Sequence, residues 1–269
     1  MNKFEFFFAT LIVGAFALTS CNKEPAVPVT RTVLTSIVGS NVDMYDNTLE
    51  TFKYDENYRI IEVVSKNPFI NKYQHELSYT YGDGTIVAEG IEDGVVVYYA
   101  CTLDAEGRIV TIDRTFEDNG NKTEGHYSYT YDENGHLVSS TNTYDYDDPQ
   151  GGTTANYTWE GDELKQIESA KGVLITTFEA SDAPAEAFFY YYSYEKALSY
   201  LCPQGCFGRV PKHLPSKRTV SAHINNIVLY SMTIDFKATV DEKGHLATVE
   251  YVDSKFGEEN RFVFNWQEK

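Results

Sequence analysis

Cys202-Pro203-Gln204-Gly205-Cys206 is the place where residue types and spacing could do chemistry. Pro and Gly between the thiols favour a tight turn that returns one sulfur to the other. In an oxidising compartment such a pair closes as a disulfide. With His213 and His223 the same thiols could also be drawn as a zinc set. The intervening lengths are three, six and nine residues, however, which fit no common finger spacing. The reading is therefore a Cys202–Cys206 bridge and no metal or cofactor. Cys101 is left as a small buried strand residue, with a bridge from it to one of the pair as the alternative. Asp132-Glu133-Asn134-Gly135 superficially echoes a calcium loop, but Thr141 stands where the closing acidic residue should be, so a plain turn is expected. The chain has no Gly-x-Ser-x-Gly elbow, His-Glu-x-x-His or phosphate-cradling glycine loop. Forty acidic residues allow many carboxylate pairs for glycoside hydrolysis, but abundance does not place them. No catalytic residue is assigned, and a non-enzyme is expected.

The fourth cysteine, Cys21, ends a different pattern. A short basic start containing Lys3 precedes an apolar run of thirteen residues from Phe6 to Leu18, and Leu18-Thr19-Ser20-Cys21 closes it. Charged head, short apolar core, small residues and then a thiol match a bacterial lipoprotein signal, Glu5 being its one irregular residue. Residues 1–20 are read as the signal, Cys21 as the acylated residue, and 21–31 as a tether made extended by Pro25 and Pro28. The expected location is the cell envelope, lipid-anchored at the outer membrane. The formal charge is 22 − 40 = −18, which repels phosphate backbones and excludes nucleic acid as a partner.

Behind these residues must stand a β framework. Tyr and Phe number 21 and 16, a composition that favours strands. Tyr54-Asp55-Glu56-Asn57-Tyr58-Arg59-Ile60 is echoed at Tyr81, Leu103, Tyr131, Trp159 and Val240, with starts 27, 22, 28, 28 and 81 residues apart. A unit of that length suits two strands and two turns. Each copy reads as a hairpin: the Asp accepts from backbone amides two residues on, and Asn-Gly or Glu-Gly supplies positive φ. The flanks alternate, with Tyr127, Tyr129 and Tyr131 on one face and His126, Ser128 and Thr130 on the other. His75, His126, His136 and His245 lie in or beside these strands and turns and read as solvated. The fold class is mainly β: a curved or barrel-like antiparallel meander of roughly a dozen strands.

The long gap holds an exception. Ser181-Asp182 can cap a helix, Pro184 fits its first turn, and Tyr190, Tyr194, Ala197 and Leu201 recur at helical spacing. One helix is expected near residues 183–201, packed on the sheet. The basic stretch from Arg209 to Arg218 follows, and strands resume at Thr219. Residues 32–269 then form a single antiparallel β domain with a helical insertion over 181–218.

The Leu-Thr-Ser-Cys signal, the Tyr-Asp-Glu-Asn-Gly turns, and the helix followed by Phe207-Gly208-Arg209 and Lys212-His213-Leu214-Pro215-Ser216 together resemble a group of Bacteroides-type lipoproteins of unknown function. That resemblance spans about the whole chain after the signal. It implies an envelope location and a porin-like, curved antiparallel β fold, and it supplies no catalytic residues. The turns also resemble the tyrosine–aspartate repeats of large secreted shell-forming toxins, although here they are longer and fewer.

The function expected is a tethered, non-catalytic binding or accessory protein whose aromatic face meets a glycan, peptide or protein. Tyr127, Tyr129, Tyr157 and Trp159 are its candidate ligand-binding residues, since such rings pair an apolar body with a polar tip. The alternative is an envelope protein that docks on a partner protein, and a carboxylate-based hydrolase comes third. Burial of the tyrosine face would favour docking over the platform.

Overall fold

The computed structural model describes residues 31–41, 48–67, 72–92, 94–118, 120–144, 153–169, 173–185, 196–225, 227–253 and 259–269. Cys21 with its signal, Tyr190 and Tyr194 lie outside them. The chain order of strands is β1 (Thr32–Asn41), β2 (Thr48–Tyr54), β3 (Ile60–Asn67), β4 (Lys72–Gly82), β5 (Thr85–Glu92), β6 (Val95–Leu103), β7 (Ile109–Asp118) and β8 (Asn121–Tyr131). It continues with β9 (Leu137–Tyr144), β10 (Thr153–Glu160), β11 (Glu163–Ser169), β12 (Leu174–Pro184), β13 (His213–Ile224), β14 (Ile227–Val240), β15 (Leu246–Asp253) and β16 (Glu259–Glu268). Every strand pairs antiparallel with its sequence neighbours, and β1 closes on β16 through a register running from Thr32↔Glu268 to Asn41↔Asn260. The result is a closed sixteen-strand barrel, a barrel-like meander as expected but with more strands than a dozen. Every strand thus has a neighbour on both sides, although β14 runs past β15, whose pairing with it begins at Ile234.

The period-two pattern decides which residues fill it. Leu77, Tyr79, Ala88, Val97, Tyr99, Ile112, Tyr127, Tyr129 and Tyr157 are buried inside, while their neighbours Glu76, Ser78, Thr80, Glu89, Thr102, Asp113, Lys122, Glu124 and Thr130 are exposed. Towards the far end of the interior the buried residues turn polar: Glu50, Ser65, Asn67, His75, Asn142 and Ser169.

The helix is shorter and later than expected. Ser181–Pro184 completes β12, because the Ser181 hydroxyl donates to Leu214 O at 2.8 Å and accepts from Ala183 N at 3.1 Å, holding that end against β13 instead of capping a helix. The described helix is α1 (Lys196–Ser199), followed by a 3₁₀ turn, Cys202–Gln204. Strands resume at His213, six residues before Thr219, so the insertion does not extend to 218.

Because successive strands alternate in direction, the short turns after β2, β4, β6, β8, β10 and β14 lie at one end of the barrel, along with the start of β1. The segment linking β12 to β13 leaves from that same end and plugs it. Leu198, Tyr200, Leu201, Cys202, Cys206 and Phe207 are all buried.

Candidate functional site

Four five-residue turns at the plugged end share one hydrogen-bond pattern. In the turn from Asp104 to Arg108, the Oδ1 of Asp104 accepts from Glu106 N at 3.1 Å and Arg108 N at 2.8 Å, while Gly107 N donates to Asp104 O. Asp55, Asp132 and Asp241 do the same for residues two and four places on. The residue three places on sits at positive φ: Gly107 at 82°, Gly135 at 85°, Gly244 at 86°, and Tyr58 at 63° in the one turn without glycine there.

The side chain four places on then organises the next hairpin. Arg59 lies over the Tyr81 ring at 4.4 Å and Arg108 over Tyr131 at 4.6 Å, while His136 stacks on Trp159 at 4.5 Å and His245 on Trp266 at 4.9 Å. Each of those aromatics donates to the carbonyl just past the stacked residue: Tyr81 to Ile60, Tyr131 to Ile109, Trp159 to Leu137 and Trp266 to Leu246, all between 2.6 and 2.8 Å. Each such bond contributes about 1 kcal/mol net, and each cation–π contact about 0.5–1 kcal/mol. Turn and aromatic thus form an interlocked collar around the plugged end.

The plug is seated on this collar. Tyr200 reaches deepest, hydrogen-bonding His75 Nε2 at 2.6 Å and meeting the Phe52 ring edge-on at 5.6 Å. Tyr81 donates to Gln204 Oε1, Ile109 N to Cys206 O, Arg209 N to Gly135 O and Lys212 N to Asp162 O. Gly208 has φ +78° and lies so close that a Cβ would meet Gly135 O at 2.3 Å and the Tyr131 ring at 2.9 Å.

Between plug and collar lies a crevice of about 620 Å³, walled by Glu106, Arg108, Glu133, Asn134, Asp162, Arg209 and Lys212. It is broadly open to solvent. Asp162 Oδ1 meets His136 Nε2 at 3.2 Å and Arg209 Nη1 at 3.0 Å, and these two partners, in that order, hold its carboxyl below the usual range. Around Asp132, desolvation pushes upward, but hydrogen bonds from the His136 backbone and ring and from Asn134 outweigh it, and its carboxyl too is lowered. Arg108 is engaged by Asp104 and Glu106. Among the described residues the Lys212 ammonium and Glu133 carboxylate have no ion pair, and both are exposed.

The expected aromatic platform is not at the surface. Tyr127, Tyr129 and Tyr157 are interior, and Trp159 is half-buried beneath His136. This barrel turns its aromatic face inward, so these rings serve as core. The expected Cys202–Cys206 bridge is likewise not formed: Cys101, Cys202 and Cys206 are free thiols, each buried. The turn is tight, with Gly205 N bonded to Cys202 O. Burial pushes Cys206 up to about 11 and, with the neighbouring Cys206 adding to it, Cys101 up to about 12; Cys202 is raised as well. Thiols kept protonated exchange poorly. His213 and His223, the other two residues of the zinc set, pair instead with Glu163 at 2.6 Å and Ser221 at 2.8 Å. Nor are His75 and His136 solvated; both are buried. Sequence spacing gave no sign of the crevice. Its one signal was the basic stretch from Arg209, which supplies Arg209 and Lys212.

No known family model matches the chain, and no curated relative matches it either. Solved structures do resemble it. A porin-like protein from Bacteroides uniformis superposes with a TM-score of 0.61 at 16% identity, and one from Bacteroides vulgatus with 0.61 at 12%. Each likeness covers 88% of this chain and 99% of the other. The fold is porin-like. At these identities the likeness is one of architecture. In this chain the apolar face of the sheet is interior, and the mid-strand exterior is largely polar, with Val38 and Tyr98 among its exposed apolar residues.

Proposed function

We propose that the protein is a lipid-anchored, non-catalytic binding protein of the cell envelope, and that its ligand site is the crevice between plug and collar. The observation that carries this reading is an open, mixed-charge crevice in which, among the described residues, Lys212 and Glu133 have no ion pair while Arg108, Asp162 and Arg209 are paired. Such a cleft suits a small polar ligand with an anionic group for Lys212 and hydroxyl or amine donors for Glu133 and Asn134. Acidic glycans and short peptides have that chemistry.

Two features support a non-catalytic role. Asp132 and Asp162 are held below the ordinary carboxylate range, whereas a general acid at neutral pH needs the opposite shift. The three described cysteines are raised and buried, unlike an activated nucleophile. Anchoring rests on the apolar run from Phe6 to Leu18 and on the Leu-Thr-Ser-Cys sequence that ends at Cys21.

Isothermal titration calorimetry with uronic-acid oligosaccharides and with acidic tripeptides tests the site. Binding of one class that Lys212→Glu abolishes, with the fold intact by circular dichroism, is the expected result. Binding to neither class, or binding indifferent to Lys212→Glu, would overturn the assignment. Mass spectrometry of membrane-extracted protein tests the anchor, the expected product being an acylated peptide that begins at Cys21.

A further inference from the structure

The opposite end of the barrel has a different surface. The β13–β14 hairpin carries Ile224, Ile227, Val228, Leu229 and Tyr230 exposed, with Ile227 at 65% and Leu229 at 62%. The start of β12 adds Val173 and Leu174, held beside the hairpin by His223 N bonded to Val173 O and by the pairing of Leu174 with Ala222. Positions 227 to 230 are consecutive, so their side chains leave alternate faces of the strand, and both faces are apolar and open. From Thr219 to Ile234 the only ionisable side chains are His223 and Tyr230, in a chain of net charge −18.

We infer that this rim is a bilayer-contact surface, in which the β13–β14 hairpin lies in the interface of a lipid membrane with Ile224, Ile227, Val228 and Leu229 in its hydrocarbon edge. Three observations favour lipid over protein. The hairpin is apolar and open on both faces, and a fluid apolar phase can cover both at once. A second copy of this chain would bring another −18 charge to the contact, which a zwitterionic bilayer does not. Tyr230 supplies the amphipathic ring that suits headgroup level, and Asn225 at the turn stays hydrated when the hairpin lies flat. On the β13 side the hairpin is held by the pairs Ala222↔Tyr230, His223↔Val228 and Ile224↔Ile227, with a bulge at Leu229.

Co-sedimentation of residues 32–269 with sucrose-loaded phosphatidylcholine vesicles tests this directly, since the closed sheet and its core lie within those residues. Vesicle binding should persist at high salt. It should fall by about tenfold or more in the Ile227→Ser/Leu229→Ser variant, which removes two exposed aliphatic side chains. If that variant loses its circular dichroism spectrum, Val173→Ser/Leu174→Ser provides the same test from the neighbouring strand. Lys212→Glu should leave vesicle binding unchanged, which separates this surface from the crevice. Absence of vesicle binding by the unsubstituted barrel, or binding undiminished in a folded rim variant, would overturn the inference. So would a dimer seen by analytical ultracentrifugation that the rim substitutions dissolve, because the rim would then be a protein–protein face.

Discussion

The two ends of this barrel are built from the same strands and solve opposite problems. At the plugged end four of the six short reversals are fastened by engaged charge: Asp55, Asp104, Asp132 and Asp241 each fasten a turn, and Arg59, Arg108, His136 and His245 each fasten the next aromatic. At the other end the strands run out into Ile91, Val96, Val173, Ile224, Ile227, Val228 and Leu229, all exposed. The difference teaches where the fold places its specificity. Polar groups fixed at the collar set register and seat the plug, and apolar groups at the rim stabilise nothing inside the barrel. A side chain that does nothing for folding is free to serve a contact.

Backbone substitutions at the two ends give the sharpest break. Gly208→Ala places a Cβ at 2.3 Å from Gly135 O in a residue at φ +78°, so plug and collar cannot both stay where they are. The expected loss is about 3 kcal/mol or more. Gly94, between β5 and β6 at the rim, has a similar φ of +86° with nothing within 4 Å of its Cβ position, so Gly94→Ala should cost only the backbone strain, about 1 kcal/mol. Urea unfolding of the two variants measures both. Equal losses would mean that the plug is not seated as described.

Within the collar, the Asp132 carboxylate serves two backbone amides and the His136 ring. Asp132→Ala should therefore cost about 1–2 kcal/mol. Trp159→Phe keeps the stack on His136 but removes the donor to Leu137 O, and about 1 kcal/mol should follow. Thermal denaturation of the pair and of the double variant would reveal coupling, because His136 touches both residues.

How much of this was legible beforehand differs by element. The alternation around Tyr127, Tyr129 and Tyr157 revealed a one-sided apolar sheet, and the barrel class followed from it. Alternation cannot say whether the apolar face sees water, because that depends on closure, and the β1–β16 pairing that closes the barrel joins residues more than 200 positions apart. Four strands escaped the count, although rim-side reversals such as Asp93-Gly94 and Asn119-Gly120 carry turn residues of their own. The helix misreading at Ser181 is a competition between local and long-range partners, in which Leu214 O, 33 residues away, took the hydroxyl. The crevice was illegible as a site because its walls come from four separate segments: the barrel sets the turns of Arg108, Asn134 and Asp162 at one end, and the plug adds Arg209.

Acid should loosen the collar before it affects the rim. Asp55, Asp104, Asp132, Asp162 and Asp241 are all lowered from 3.8. A carboxyl whose folded pKa is depressed adds stability above its unfolded value, and that stability is lost as pH falls through the folded value. Stability should thus be flat on this account above about pH 5 and decline below pH 4. Asp132→Asn should flatten part of the decline. Melting temperatures from pH 2.5 to 6 would measure it, and an unchanged slope in the variant would count against the turn carboxylates as the titrating groups.

The smallest effect is expected at the rim and is the most telling for the comparison. Ile227 and Leu229 are more than three-fifths exposed, so replacing them with Ser removes little buried area, and the folded barrel should change in stability by no more than about 0.5 kcal/mol. Their backbone partners on β13 are untouched by the change, since the Ile224↔Ile227 and Ala222↔Tyr230 pairing uses main-chain groups alone. Urea midpoints would be read on the purified barrel without lipid. A loss of 2 kcal/mol or more, the size that follows from emptying a core position, would mean that these side chains are covered in the folded chain, and the contrast between a fastened collar and an unencumbered rim would no longer hold.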